Sequence, residues 1–247
     1  MNFNDYDYKT RKIKVEEILD KTDDIKTVDY FPRDDDFTYT NGYTAWTSAI
    51  FVDLRNSSEL FMDEDDVTTA KIIRGFTSEI IEILNKDVGN NLVEIGIRGD
   101  CVYGIYSTPY VKDIQDLATR SFYINTYMKM LNKLLTKRGI KEVKAGIGLA
   151  ASETLAVKAG RKSSGINNLV WVGDSVTKAA KLADLGNKDR VKPIVMSDIF
   201  YSNYSKDKTD KIKSFFVKNS DDKYGTYYHA NLIMSEFDNW INNGMRE

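Results

Sequence analysis

Apolar and polar positions change period several times along the chain. Residues 8–22 carry Ile13, Val15, Ile18 and Leu19 at spacings suited to a short amphipathic helix, and a polar stretch from Pro32 to Thr40 follows. Residues 1–42 therefore read as a helix and preamble to a domain over 43–247. From Tyr43 the period shortens. Trp46 to Leu54 is a strand-like run, and Asn56-Ser57-Ser58 supplies helix-capping and turn chemistry. Ile73, Phe76, Ile80, Ile83 and Leu84 recur at helical spacing, with Gly89 as a terminator.

Two strands are predicted next, Leu92 to Arg98 and Val102 to Ser107, separated by Gly99-Asp100-Cys101, a segment suited to a tight hairpin. A long helix spans Val111 to Arg138, with Leu117, Ile124, Met128, Leu131 and Leu135 on one stripe and Gly139 as its stop. Val143 to Ala151, Glu153 to Ala159 and Asn168 to Gly173 read as extended, followed by a helix from Ser175 to Leu185. A short strand from Pro193 to Met196, a strand from Tyr224 to Ile233 and a helix around Ser235 to Asn243 complete the pattern. The order strand, helix, strand, strand, helix, strand is that of a ferredoxin-like α+β sandwich.

Composition narrows the class. Hydrophobic residues make up 42% and charged residues 29% of the 247, with three prolines, which predicts a folded globular chain. The formal net charge of -2 gives no basic excess for nucleic acid. Cys101 is the only cysteine, so no internal disulfide forms. No apolar run approaches the roughly 20 residues a membrane helix needs, and the polar start lacks a secretion signal. A cytoplasmic protein with no membrane partner is expected.

The candidate chemistry begins with two aspartates at strand ends, Asp53 in Phe51-Val52-Asp53-Leu54-Arg55 and Asp100 in Ile97-Arg98-Gly99-Asp100. If the first strand lies beside the hairpin, both carboxylates converge at one sheet edge, where hard oxygen ligands suit Mg²⁺ or Mn²⁺ with bound phosphate. Taken singly, each is an ordinary strand-end or turn aspartate. Leu54 to Ser58 would add backbone N–H groups at a helix start, a triphosphate-binding device that draws in Arg55, Asn56, Ser57 and Ser58.

This combination resembles the class III adenylate and guanylate cyclase catalytic domain. The third stretch is the most specific. Lys144-Ala145-Gly146-Ile147-Gly148-Leu149-Ala150, then Val172-Gly173-Asp174-Ser175-Val176-Thr177-Lys178-Ala179-Ala180-Lys181-Leu182, is similar to the cyclase small-residue strand followed by Gly-x-x-Val-Asn-x-Ala-x-Arg-Leu. The resemblance covers about Trp46 to Met196. It implies two divalent metal ions, Mn²⁺ or Mg²⁺, held by Asp53, Asp100 and the Leu54 carbonyl, and a head-to-tail homodimer with composite active sites. Thr177 and Lys181 stand where the family carries the ribose-holding Asn and the phosphate-holding Arg. Their four-residue spacing keeps them on one helical face, although lysine lacks the arginine fork.

The two positions that hold adenine in the family are Gly96 and Val170 here, so neither purine contact survives. Arg98 shares a strand face with Asp100 by the period of two and is a candidate base or phosphate reader. Together with Phe-Val-Asp-Leu-Arg-Asn-Ser-Ser, this resembles the bacterial Pycsar pyrimidine cyclases, which implies cyclic UMP or cyclic CMP made as an antiphage signal for a separate effector. By that resemblance Phe51 packs against the base; by pattern alone it is a core strand aromatic. Uracil offers two carbonyl acceptors to Arg98, which favours UTP over CTP. Adenylate or guanylate cyclase, an inactive nucleotide-binding dimer and a purely structural dimerisation domain are the competing readings.

The remaining conspicuous residues read as structure. Cys101 is a packed small residue, His229 has no ligand partners in sequence, and the Asp34–Asp36 and Asp63–Asp66 clusters are solvated charge. Lys158, Arg161 and Lys162 read as a solvated loop.

Overall fold

A computed structural model describes residues 6–160 and 167–246. The long apolar runs pair into one nine-stranded sheet. Helix α1 (Tyr8–Asp20) and the short β1 (Ile25–Thr27) precede β2 (Gly42–Leu54), which is followed by α2 (Ser57–Asp63), α3 (Asp66–Asn85), β3 (Leu92–Arg98), β4 (Cys101–Ser107) and α4 (Val111–Thr136). Then come β5 (Ala145–Gly160), β6 (Asn167–Val172), α5 (Asp174–Leu185), β7 (Ile194–Ser197), α6 (Asp198–Tyr204), α7 (Asp210–Lys213), β8 (Val217–Asp221), β9 (Gly225–Ala230) and α8 (Ser235–Asn242). The strand order β3-β4-β2-β5-β7-β9-β8 contains the ferredoxin-like four at its left and extends it by three strands. The pairing is antiparallel except at β1/β2 and β5/β7, and the second parallel pair is made possible by the α5 crossover.

One face of the sheet carries the main core. Ile72, Phe76, Ile80 and Leu84 of α3 and Ile114, Leu117, Ile124 and Leu131 of α4 pack on Ile50, Val52, Val102, Ile147 and Leu149. Asp65 caps α3 by accepting the Val67 and Thr68 N–H groups, which gives one of the solvated acidic residues a structural task. Gly139, at φ +71°, ends α4 as expected: the Ile140 N–H closes on the Leu135 carbonyl beyond it.

The other face is covered by α5, which sits directly on the backbone. A Cβ at Gly148 would overlap the Ala179 carbonyl oxygen and one at Gly146 the Ala183 carbonyl oxygen. Ala179 and Ala183 thus reach Ala49, Phe51 and Ala150 in a second small cluster. Gly148→Ala is expected to push α5 away and cost about 1–3 kcal/mol. A urea titration checks the stability, and loss of turnover larger than loss of fold would show that helix placement is what the site needs.

Three expectations from the sequence are corrected. The two strands expected over 143–159 are one, because β2 begins at Gly42 and pairs continuously with β5 from Gly42↔Val157 to Leu54↔Ala145. The strand expected to run to Ile233 stops at Ala230, where Asn125 of α4 donates to Asn231 Oδ1 and the Leu232 carbonyl, each at 2.8 Å, and draws the chain off the sheet. Ile13, Val15, Ile18 and Leu19 are all exposed on α1, whose expected apolar face buries nothing among the described residues. Packing also runs across residue 42: β1 joins β2, and Phe31 and Phe37 are buried with Ala45 and Ala156.

His229 on β9 is buried, and its Nδ1 accepts the Lys192 N–H at 3.1 Å. Burial, then the charge of Lys192, holds its pKa below the ordinary 6.5. The depressed value means that its contribution is complete above 6.5 and is lost as pH falls through the folded value. The melting temperature is expected to drop as pH falls below 6.5, with a shallower slope in His229→Gln.

Candidate active site

Register decides which side chains meet. Asp53 pairs with Cys101 on β4 and with Gly146 on β5, and Cys101 pairs with Arg98 on β3. Directly paired residues share a face, so Arg98, Cys101 and Asp53 form one row. Phe51, Tyr103, Gly96 and Gly148 form the next. Gly99 at φ +63° closes the two-residue hairpin turn that carries Asp100. The β2 end and the hairpin therefore bring the two expected carboxylates together.

Burial is the largest influence on Asp53 and lifts its pKa above the ordinary carboxylate value. Arg55 opposes the shift, and the neighbouring charges of Asp100 and Asp184 add to it. Asp53 Oδ2 accepts from Arg55, while Oδ1 accepts no hydrogen bond among the described residues. Among the described residues no three His, Cys, Asp or Glu side chains gather as a metal-holding group, and Asp184 is taken up by Arg55 and Lys188. What the site offers is a desolvated carboxylate with a free oxygen beside the charge of Asp100. That chemistry fits a divalent cation. Asp53, Asp100 and the Leu54 carbonyl would hold it.

Arg55 points inward. Its side chain is 7% exposed, and it donates to the Asp53 carboxylate, to the Asp184 carbonyl at 2.8 Å and to Asp184 Oδ1 at 3.4 Å. Lys188 in turn reaches Asp184 Oδ1 at 2.5 Å. Sequence reasoning placed Arg55 on the triphosphate and missed Asp184 altogether. The geometry turns Arg55 into a tie between β2 and the end of α5. The only signal for Asp184 was its position three residues beyond Lys181, within the same helical motif.

Asn56 adopts the left-handed region (φ 55°, ψ 31°) ahead of α2, and its amide donates to Glu59 at 3.2 Å. Ser57 opens the helix; the side chain of Ser58 lies outside the described residues, as do Arg161 and Lys162. Glu59 in the first turn of α2 sets a negative charge where an anion was expected. Thr177 and Lys181 are exposed on α5. Thr177 Oγ1 donates back to the Gly173 carbonyl at 3.3 Å, and neither side chain bonds Asp53 or Asp100 among the described residues. Phe51 is buried beneath α5 and stacks on Tyr103 with centroids 5.1 Å apart and planes 13° apart. Arg98 is exposed beside them.

Cys101 is inert: burial, ahead of the Asp53 charge, pushes its thiol up to about 12. Among the described residues no helix is long and apolar enough to cross a membrane.

The sheet order and the α5 crossover are those of the class III nucleotide cyclase fold. The adenylyl cyclase CyaB from P. aeruginosa superposes with a TM-score of 0.61 at 17% identity, covering 76% of this chain and 94% of that one. No family model matches the chain. A uridylate cyclase from Treponema porcinum is 47% identical over 240 residues, 97% of this chain and 82% of the relative. Another from Gulbenkiania mobilis is 29% identical over 252 residues, 95% of each. The chain belongs to the uridylate cyclase family of class III nucleotide cyclases.

Proposed function

We propose that the protein is a pyrimidine nucleotide cyclase that converts UTP, or less readily CTP, to the 3′,5′-cyclic monophosphate and pyrophosphate. The observation that carries this reading is the carboxylate pair on a sheet face where Gly96 offers no purine-reading side chain, with Val170 apolar on the opposite face of β6, in a chain 47% identical to a uridylate cyclase. The reaction is in-line attack of the ribose 3′-oxygen on the α-phosphorus, with pyrophosphate leaving.

Asp53, Asp100 and the Leu54 carbonyl would hold two divalent ions, Mn²⁺ or Mg²⁺, which would lower the 3′-hydroxyl pKa and offset the charge of the departing phosphates. Arg55 keeps Asp53 aimed. Thr177 orients the ribose oxygen, and Lys181 offsets charge on the α-phosphate in the transition state. Asn56, Ser57 and Ser58 line the triphosphate path, and Arg98 reads the base beside Phe51. Thr177 and Lys181 come from the opposite protomer of a homodimer. Residence in the cytoplasm and a role in antiphage signalling through a separate effector extend the same reading.

Purified protein with Mn²⁺ and each of ATP, GTP, CTP and UTP is expected to give cyclic UMP, with less cyclic CMP, identified by mass spectrometry and lost in Asp53→Ala. Cyclic AMP or cyclic GMP as the main product would overturn the pyrimidine reading. Nucleotide binding without any product would favour an inactive binding dimer.

A further inference from the structure

One carboxylate on the active face has no part in the scheme above. Glu94, on β3, accepts the Tyr103 hydroxyl on Oε1 at 2.5 Å and the Trp171 indole N–H on Oε2 at 2.7 Å. It thereby ties β3 to β4 and to β6. A bulge between Leu92 and Glu94 shifts the β3/β4 register and sets Glu94 opposite Ile105.

The tie fixes two rings. Gly96 has to be side-chain-free, because a Cβ there would overlap the Tyr103 hydroxyl; the phenol ring lies across β3 in that space. Phe51 stacks on Tyr103, and Phe31 packs edge-on against Trp171 at 5.1 Å and 80°. Burial and the Glu94 bond hold the Tyr103 phenol protonated and therefore a donor. Hydrogen bonds to an ionised acceptor are about twice as strong as neutral ones, so the ring does not leave this position cheaply.

The position matters because Phe51 lies two residues before Asp53, about 7 Å along β2, so the ring stack lies along the active face from the metal carboxylates. An open volume over Gly96 would admit a second fused ring; the pinned phenol fills it. We propose that Glu94 is a specificity-positioning residue: by holding Tyr103 over Gly96, with Trp171 as its second anchor, it limits the base site to a single ring, admitting pyrimidine triphosphates and turning purines away. The inference rests on the pyrimidine reading above and names the residues that enforce it.

The test compares kcat/KM for UTP and ATP in the wild-type protein, Glu94→Gln and Tyr103→Val, with folding checked by circular dichroism. Glu94→Gln replaces two charge-assisted bonds by neutral ones, its carbonyl left for the Trp171 N–H and its amide for the Tyr103 oxygen, whereas Tyr103→Val removes the ring and keeps a strand-forming side chain. Both are expected to lower the UTP-to-ATP ratio about tenfold, since a hydrogen bond to a charged group is worth about that factor. An unchanged ratio in the folded variants, or an equal loss on both nucleotides, would overturn the proposal and leave Glu94 a structural tie. If Glu94→Gln does not fold, Tyr103→Val carries the comparison alone. A wild-type protein that itself prefers ATP would instead defeat the pyrimidine reading, a result separable from the variant ratios.

Discussion

Mixing equal amounts of Asp53→Ala and Lys181→Ala chains is expected to restore about a quarter of wild-type turnover from two preparations that are each nearly inactive. Each substitution alone removes charge stabilisation from both sites of the dimer and is expected to cost roughly 10³-fold in kcat. Random re-pairing makes half of the dimers mixed. In a mixed dimer one site has lost both groups, and the other keeps Asp53 from one protomer and Lys181 from its partner. The structure is compatible with this division, since Lys181 is exposed on α5 and bonds neither carboxylate of its own chain among the described residues. Steady-state production of cyclic nucleotide, with mixed dimers verified by native mass spectrometry, reads the outcome. A confirmed mixed dimer without turnover would place both groups in the same chain's site.

Replacing Arg55 by Met is expected to destabilise the protein by about 3 kcal/mol, because one partner of a buried ion pair is removed and the other stays charged. For a domain of this size that lowers the melting temperature by about 10 °C. Asp184→Asn should cost far less, since its side chain is 52% exposed and water screens the pair. Asp53→Asn runs the other way. Its raised pKa means that the folded protein prefers the protonated carboxyl, so stability from this group is present at low pH and is lost as pH rises through the folded value. Without metal, Asp53→Asn is therefore expected to match or exceed the wild-type melting temperature at neutral pH while abolishing turnover. The double variant Arg55→Met with Asp53→Asn should recover most of the loss, and a thermal melt of the four proteins closes the cycle. Additive effects would show that Arg55 and Asp53 are not coupled.

That Asp53 and Asp100 are neighbours was legible from the sequence because both sit at strand ends and turns, where local pattern fixes position. Asp53 at the end of an apolar run and Asp100 in a glycine turn needed only the pairing of β2 with β4 to meet. Direction was harder. Arg55 follows Asp53 by two and reads equally well as a phosphate ligand or an internal tie; only the approach of α5, permitted by Gly146 and Gly148, brings Asp184 within reach and settles its rotamer. Glu94 gave a faint signal, sharing the period of two with Gly96 and Arg98, but its partners lie on β4 and β6. The polar edge strand β8, Val217–Asp221, has no hydrophobic alternation and exists through its pairing with β9. Phe31 and Phe37, inside a stretch read as preamble, are buried against Ala45 of β2, Ala156 of β5 and Trp171 of β6, partners far along the chain that no local pattern announces.

The two carboxylates proposed as metal ligands also differ in how firmly the fold holds them. Asp53 belongs to a thirteen-residue strand bonded on both sides, to β4 and to β5, and buried along most of its length. Asp100 rides on a two-residue turn at the end of a hairpin whose outer strand, β3, borders no further strand among the described residues. Amide hydrogens around Asp53 should exchange only when the whole domain unfolds, and those at the β3–β4 turn by small local openings. On the proposed function, the ligand carried by the hairpin is therefore the one expected to shift when nucleotide enters and pyrophosphate leaves, while Asp53 stays in place.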